Sequence, residues 1–237
     1  MFLQADAAGI EWVCINYLAQ DPVGMEEIHN GVDQHSLNQR TFNLPDRKIA
    51  KIFVFRLIYG GSEWSYSADP DFSWISSQPR FWRKRIDAFY DKYRGIKEQH
   101  DKWMQEATTT ERVTMATGRF YPFGPYVDKK GESQWPRTKI INYPVQGLAA
   151  DLMSIARVSI KGRLDGRCKL VSTVHDSIVV DLPPDDALLR STTDVFHSVF
   201  ADIPGNFKRI FDVEFNLPLR CEILMGNNLK DLDTIEE

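Results

Sequence analysis

Ile10, Val13, Cys14, Tyr17 and Leu18 are apolar positions in an otherwise mixed stretch. Their spacing is i, i+3, i+4, i+7, i+8, one face of a helix, and it predicts an amphipathic helix from residue 10. Residues 1–6 read as a short strand ending at Asp6. Asp6 therefore stands at a strand-to-helix junction, with Gly9 available for the turn.

The same reading continues along the chain. Residues 33–43 form a short helix after an Asn30-Gly31 turn. Leu44-Pro45-Asp46 offers a helix start with Asp46 as N-cap, and the helix from Arg47 runs to Tyr59 and stops at Gly60-Gly61. Residues 62–79, rich in Ser, Asp, Pro and aromatics, read as a loop or short turns. Residues 80–106 are helical, with Phe81, Ile86, Phe89 and Tyr93 among the inner positions.

Residues 113–143 look extended, with turns at Gly118, Gly124-Pro125 and Lys130-Gly131. Pro144 opens the next helix, whose buried stripe is Val145, Leu148, Ala149, Leu152 and Met153. A hairpin is expected over 169–182, turning at His175-Asp176. A helix follows near Asp186–Phe200, then a strand pair at Val213–Phe215 and Leu219–Met225. This order predicts an α+β fold: an antiparallel or mixed sheet with a helical insertion after its first strand.

Composition narrows the picture only a little. A 237-residue chain with 43% hydrophobic and 26% charged residues can bury a sizeable core. No run of eighteen apolar residues is present, so no membrane span is expected. The N-terminus lacks a basic region followed by a long apolar run and is not read as a secretory signal. Cys14, Cys168 and Cys221 form no CxxC pair and suggest reduced thiols in a cytoplasmic setting. The net charge of −4 argues against nucleic-acid binding over the whole surface, but a local basic stripe suffices for phosphate contacts. The densest basic run, Arg80 to Arg85, is either a solvated helix face or such a contact.

Two features carry chemistry. Arg47, Lys51, Phe55 and Tyr59 recur every four residues. On a helix they drift only about 120° over about 18 Å and share one broad face. Two cations followed by two rings can meet a triphosphate and then a base; taken alone, exposed cations beside a buried aromatic stripe is the plainer account. The second feature is Asp6 with Asp176, each where a strand-like run meets a turn. Either alone reads as a cap or turn former. Brought side by side on neighbouring strands they would repel unless divalent cations lay between them, and hard oxygen ligands favour Mg²⁺.

The motifs resemble those of family A DNA polymerases, the bacterial DNA polymerase I class and its phage relatives. Asp6-Ala-Ala-Gly-Ile-Glu11 resembles motif A. Arg47-x3-Lys51-x3-Phe55-x3-Tyr59-Gly60 is similar to motif B, the finger helix, and Val174-His175-Asp176 to motif C. Asp33-Gln34-His35 resembles the segment before the finger helix. Asn142-x3-Gln146-Gly147-x-Ala149-Ala150-Asp151 resembles the palm helix beside the primer-template minor groove. Thr117-Gly118-Arg119 and the ending around Gly226-Asn227 also match. The likeness spans nearly the whole chain, in order.

The resemblance implies a polymerase palm with a catalytic hairpin plus helical fingers: palm at 1–32 and 113–237, fingers at 33–112. It implies a DNA-directed DNA polymerase that adds dNTPs to a primer 3′-OH by two-metal phosphoryl transfer. Asp6, Asp176 and the Ala7 carbonyl would bind two Mg²⁺, with Mn²⁺ as a substitute. Arg47, Lys51 and His35 would hold the triphosphate, and Lys51 would protonate departing pyrophosphate. Phe55 and Tyr59 would pack against sugar and template base, and Glu11 would fill the space of a ribose 2′-OH. Gln146 and His175 would contact the primer end, Asn142 the minor groove and Arg119 the DNA backbone.

Departures sharpen the expectation. The family's Tyr-Ser-Gln after the first Asp is Ala7-Ala8-Gly9 here, and the acidic residue that often follows the motif C Asp is Ser177. His-Asp-Ser is also the pattern of phage-type single-subunit RNA polymerases, whereas Glu11 and Phe55 point to the DNA side. Only five residues precede Asp6, so thumb and exonuclease domains are expected to be absent. The expectation is the palm-and-fingers half of a split polymerase, completed by a separate thumb- or exonuclease-bearing polypeptide and acting in the cytoplasm, a host's if phage-encoded. The rival for the short start is a shortened chain or a misassigned gene start. The rivals for function are an RNA polymerase fragment and a noncatalytic nucleic-acid-binding or assembly subunit.

Overall fold

Strand β1 (Phe2–Ala7) lies at the centre of the main sheet, and its alternation explains why. Leu3, Ala5 and Ala7 are buried while Gln4 and Asp6 face the more open side. In the computed structural model, which describes residues 1–235, β1 is followed by α1 (Ile10–Ala19), α2 (Pro22–His29), α3 (Gln34–Thr41) and α4 (Arg47–Ile58). Next come α5 (Glu63–Ala68), α6 (Pro70–Ser73), α7 (Pro79–Lys92) and α8 (Arg94–Thr110). Two small ribbons, β2 (Arg112–Thr114) with β3 (Phe120–Pro122) and β4 (Tyr126–Val127) with β5 (Ser133–Gln134), lead into the long helix α9 (Arg137–Arg163). The hairpin β6 (Lys169–Val174) and β7 (Ser177–Asp181), helices α10 (Asp186–Ala201) and α11 (Ile203–Phe211), and strands β8 (Cys221–Gly226) and β9 (Asp233–Thr234) complete the chain.

The main sheet runs β6-β7-β1-β8-β9, with every pairing antiparallel. The fold is α+β, as expected. Contacts divide the chain into two units, Met1–Ile10 with Gly147–Glu237, and Glu11–Gln146. The first holds the main sheet. Its buried residues include Leu3, Ala5, Ile178 and Val180 of the sheet, Phe196 and Phe200 of α10, Phe207 of α11 and Leu152 of α9. The second is helical around an aromatic core of Phe53, Tyr66, Phe72, Trp82, Phe89 and Tyr93, all fully buried. Among the described residues no helix is long and apolar enough to cross a membrane.

Several predicted elements stand as read. Gly9, at φ 59°, makes the turn after β1. Asp46 caps α4 by accepting from the Ile49 amide at 2.8 Å, and Gly60 ends it at φ 81°. The stripe Val145, Leu148, Ala149, Leu152 and Met153 is buried.

Other segments depart from expectation for identifiable reasons. Residues 62–79, read as a loop or short turns, hold the short helices α5 and α6: Ser62 and Ser65 form a reciprocal capping box, and Asp69 caps α6 ahead of Pro70. The helical stretch expected over 80–106 is two helices, divided at Tyr93 (φ −110°, ψ 70°). That break brings the Gly95 amide to the buried Asp21 carboxylate, 2.8 Å away, while Asp21 also caps α2. Phe81 lies half-buried under the Arg85 guanidinium, and Trp82 takes the inner position. The stretch Arg137–Tyr143 is helix, not extended: Ile140 and Ile141 are fully buried at helical spacing from Val145 and Leu148. Pro144 thus sits inside α9 rather than opening it, and lacks the N–H that the Ile140 carbonyl would accept. Val213–Phe215 is not a strand; Phe215 is buried against Phe207 at 5.5 Å, and β8 pairs with β9 instead.

Candidate active site

In the sheet unit, β1 pairs with β7 so that Asp6 faces Ser177, and with β8 so that it faces Glu222. The Ala7 amide donates to the Asp176 carbonyl at 2.9 Å, and the Ala8 amide to the Arg220 carbonyl at 2.9 Å. The alternation of an antiparallel ladder then makes Asp6–Ser177 a closely spaced pair without mutual main-chain bonds. The sequence thus builds the juxtaposition twice over. The β1 register puts Asp6 on the open face near the strand end, and a two-residue turn puts Asp176 one main-chain bond from Ala7.

That turn is tight. His175 sits at φ 55°, and Val174 and Ser177 are paired on either side. The Ser177 hydroxyl, largely buried, donates to the Val174 carbonyl at 2.9 Å and closes the hairpin. Asp176 is 31% exposed, with the more exposed His175 ring 3.5 Å from its carboxylate. Both aspartates are therefore reachable by a cation. Among the described residues no group of three or more His, Cys, Asp or Glu is disposed to hold a metal. A carboxylate pair completed by water and substrate oxygens is a setting that suits Mg²⁺.

The helical unit carries the cation-and-ring face. On α4, Ile49, Ala50, Phe53, Val54, Leu57 and Ile58 are buried, so Arg47, Lys51 and Phe55 fall on the opposite side. The Lys51 ammonium lies 5.7 Å from the Phe55 ring centroid, and the His35 ring 5.7 Å from the same ring. Arg47 meets the Asp33 carboxylate through Nε at 3.0 Å and Nη2 at 3.2 Å. His35 is held down to a pKa of about 4, first by burial and then by the positive charges of Arg47 and Lys51. At neutral pH it is an uncharged ring, and its buried Nδ1 has no hydrogen-bond partner among the described residues.

A second cluster in this unit joins residues distant in sequence. Gln146 donates from Nε2 to the Tyr59 hydroxyl at 2.7 Å. Burial pushes the Tyr59 phenol well up, and the Glu11 carboxylate beside it adds to the rise. Glu11, Tyr59 and Gln146, read separately in the sequence, are one network. Asn142 lies one turn before Gln146 on α9, its buried Oδ1 without a partner among the described residues. Arg119 is exposed in the turn between β2 and β3, where its carbonyl accepts from the Met115 amide at 2.7 Å.

The structure thus gathers Asp6, Ala7, His175 and Asp176 in one unit, and His35, Arg47, Lys51 and Phe55, with Glu11, Tyr59 and Gln146, in the other. Sequence reasoning gave no role to Asp33 or Glu222. Asp33 is signalled only by its place before His35, and nothing in the sequence marks Glu222 as Asp6's neighbour across β8.

Comparison with known proteins agrees with the family that the sequence resembles. The model of DNA polymerase family A matches residues 1–231. DNA polymerase I of Deinococcus radiodurans is 24% identical over 241 residues, covering 97% of this chain and 23% of the relative. That of Treponema pallidum is 25% identical over 242 residues, covering 97% and 23%. That of Chloroflexus aurantiacus is 26% identical over 215 residues, covering 85% and 22%. The chain therefore spans under a quarter of the length of these relatives. A solved structure of the POL domain of Pol1 from M. smegmatis, in complex with DNA primer-template and dNTP, shares the fold with a TM-score of 0.75 at 17% identity. It is matched over 96% of this chain and 39% of its own. With the family model covering all but the last six residues, the chain belongs to DNA polymerase family A.

Proposed function

We propose that the chain performs template-directed DNA synthesis, adding a dNTP to a primer 3′-OH by phosphoryl transfer. The observation that carries this reading is the bond from the Ala7 amide to the Asp176 carbonyl, which fixes Asp6 and Asp176 at neighbouring strand ends. Asp6, Asp176 and the Ala7 carbonyl would hold two Mg²⁺, or Mn²⁺ in their place. When bound, such ions activate an attacking oxygen and stabilise a leaving one. Palm at 1–32 and 113–237, with fingers at 33–112, is the matching division of labour.

The other roles follow from chemistry. Arg47 and Lys51 offset triphosphate charge, and neutral His35 adds a hydrogen bond without another full charge. Lys51 supplies the proton for departing pyrophosphate. Phe55 and Tyr59 pack against the incoming sugar and the template base. Arg119, Asn142, Gln146 and His175 contact the primer-template.

Glu11, steadied by Tyr59, blocks a 2′-OH. Glu11→Ala is expected to raise incorporation of rNTP relative to dNTP about tenfold or more, read by paired single-nucleotide kinetics. An unchanged ratio removes Glu11 from sugar selection and favours the RNA polymerase reading, for which His175-Asp176-Ser177 is the supporting feature.

Much of a polymerase's hold on duplex DNA comes from phosphate contacts. The curated relatives are more than four times the length of this chain. We infer that a thumb outside these 237 residues, carried by another segment or by a separate polypeptide, completes the enzyme in the cytoplasm of a cell or phage host. Primer extension by the chain alone and with candidate partners tests this. Fully processive synthesis by the chain alone would exclude a required partner.

A further inference from the structure

We propose that the ribbon β4–β5 is a grip on duplex DNA, with Lys129 and Lys130 at its tip on primer-template phosphates and Tyr126 on its stem against the same strand. This rests on the reading of the chain as a DNA-synthesising enzyme, and it adds residues that the family resemblance did not supply.

Charge is unevenly spread along the chain. Residues 112–139 hold six Lys or Arg against two Asp or Glu, in a chain whose net charge is −4. The remainder is therefore strongly acidic and repels DNA, while this segment attracts it. The same segment exposes large apolar side chains: Phe120 at 57%, Tyr126 at 52% and Val127 at 71%. Cations interleaved with exposed rings suit a nucleic acid, whose phosphates meet the charge and whose sugars and bases meet the rings.

The turn is built to present its lysines. The Asp128 carboxylate accepts from the Lys130 amide at 2.8 Å and the Glu132 amide at 2.9 Å. The Asp128 amide donates to the Glu132 carbonyl at 2.9 Å, and Gly131 takes φ 83°. Asp128, half-buried, is thus engaged within the turn. Lys129 and Lys130 are exposed, and neither side chain has a partner among the described residues. Glu132 repels a phosphate, but it lies past the tip and is one charge against two.

The root of the ribbon fixes what the tip can reach. Both ribbons and Tyr143 belong to the helical unit. The Phe123 amide donates to the Glu111 carbonyl at 2.8 Å, and the Tyr121 and Phe123 rings each lie 5.8 Å from the ring of Tyr143 on α9. Tyr143 follows Asn142, and Arg119 lies in the turn between β2 and β3. The ribbon therefore springs from beside two residues read as duplex contacts. From Gly124 to Lys129 is about 20 Å at most, less than the roughly 34 Å of one duplex turn. Phosphates of a duplex held at the root are within reach of the tip, which favours duplex over a free single strand.

The test is fluorescence anisotropy of a labelled primer-template duplex, titrated with the full chain over about 25–200 mM salt. Lys129→Gln/Lys130→Gln removes the tip charges, and Lys102→Gln/Lys161→Gln removes two exposed lysines elsewhere. The tip variant is expected to bind about tenfold or more weakly at about 0.1 M salt, and its plot of log affinity against log salt should be shallower by about 2. The control pair should change neither, and helix content by circular dichroism should be the same in all. Tyr126→Ser should weaken binding about threefold at every salt concentration and leave the slope alone. Unchanged affinity and slope in the tip variant, or an equal change in the control pair, overturns the grip; if the unaltered chain still binds and extends the duplex, only the grip falls. Equal losses on the single-stranded template oligonucleotide overturn the assignment to duplex. If the unaltered chain binds no duplex even at the lowest salt, the DNA-synthesis reading fails and the proposal with it.

Discussion

Asp176→Asn is expected to lower single-nucleotide incorporation about a thousandfold or more, and Asp6→Asn to do the same. Asparagine keeps the shape but removes the charge that would hold a cation. If that removes about 4 kcal/mol of transition-state stabilisation, the rate falls by about three orders of magnitude. Folding should hardly change. Asp176 is partly exposed in a turn closed by the Ser177 hydroxyl and tied to β1 by the Ala7 amide's bond to the Asp176 carbonyl, both of which survive the substitution. Unfolding free energy should move by no more than about 0.5 kcal/mol. Single-turnover extension beside urea unfolding separates the two effects. A loss under tenfold for both variants, with the fold intact, would take the carboxylates out of the chemistry.

The second large effect is on stability. Phe53→Ala is expected to cost about 3–5 kcal/mol, a large share of the about 5–15 kcal/mol that holds a typical domain. Phe53 is fully buried on the inner side of α4, with Phe42 at 5.9 Å, Tyr66 at 5.1 Å and Trp82 at 6.2 Å between ring centroids. The Tyr66 hydroxyl donates to the Phe53 carbonyl at 2.8 Å, so the surrounding rings are tied in place and collapse poorly into the space left. Because this core backs the face bearing Lys51 and Phe55, the variant should lose nucleotide affinity with stability. Urea unfolding showing a cost under 1 kcal/mol would mean that the aromatic core does not support α4.

What the sequence made legible follows from the strength of each local signal. β1 and the β6–β7 hairpin were readable because alternation and a two-residue turn leave few other registers. α4 was readable because its ends carry Asp46 and Gly60, which act through the backbone alone. The segment after α4 was misread because Ser, Asp and Pro both break helices and begin them. Ser62, Asp69 and Pro70 begin them here. The start of α9 was misread because Ile140 and Ile141 are β-branched and Pro144 resembles a first-turn residue; burial on the helical period outweighs both. α2 was not foreseen, although Asp21-Pro22 is a cap followed by a first-turn proline.

The candidate site divides similarly. The resemblance supplied its residues, since ordered motifs survive where single-residue signals do not. Their company was not readable. Tyr59 and Gln146 are 87 positions apart, and Asp33 and Arg47 are exposed side chains 14 positions apart with no pattern to pair them. Only a folded chain shows that Glu11, Tyr59 and Gln146 share a network, or that one carboxylate links α3 to Arg47.

Mn²⁺ binding followed by electron paramagnetic resonance tests the centre of this account most directly. The unaltered chain, titrated in the presence of a dNTP, should take up Mn²⁺ that Asp6→Asn and Asp176→Asn each largely fail to hold. Uptake by both variants equal to that of the unaltered chain would show that these carboxylates do not gather the catalytic cations.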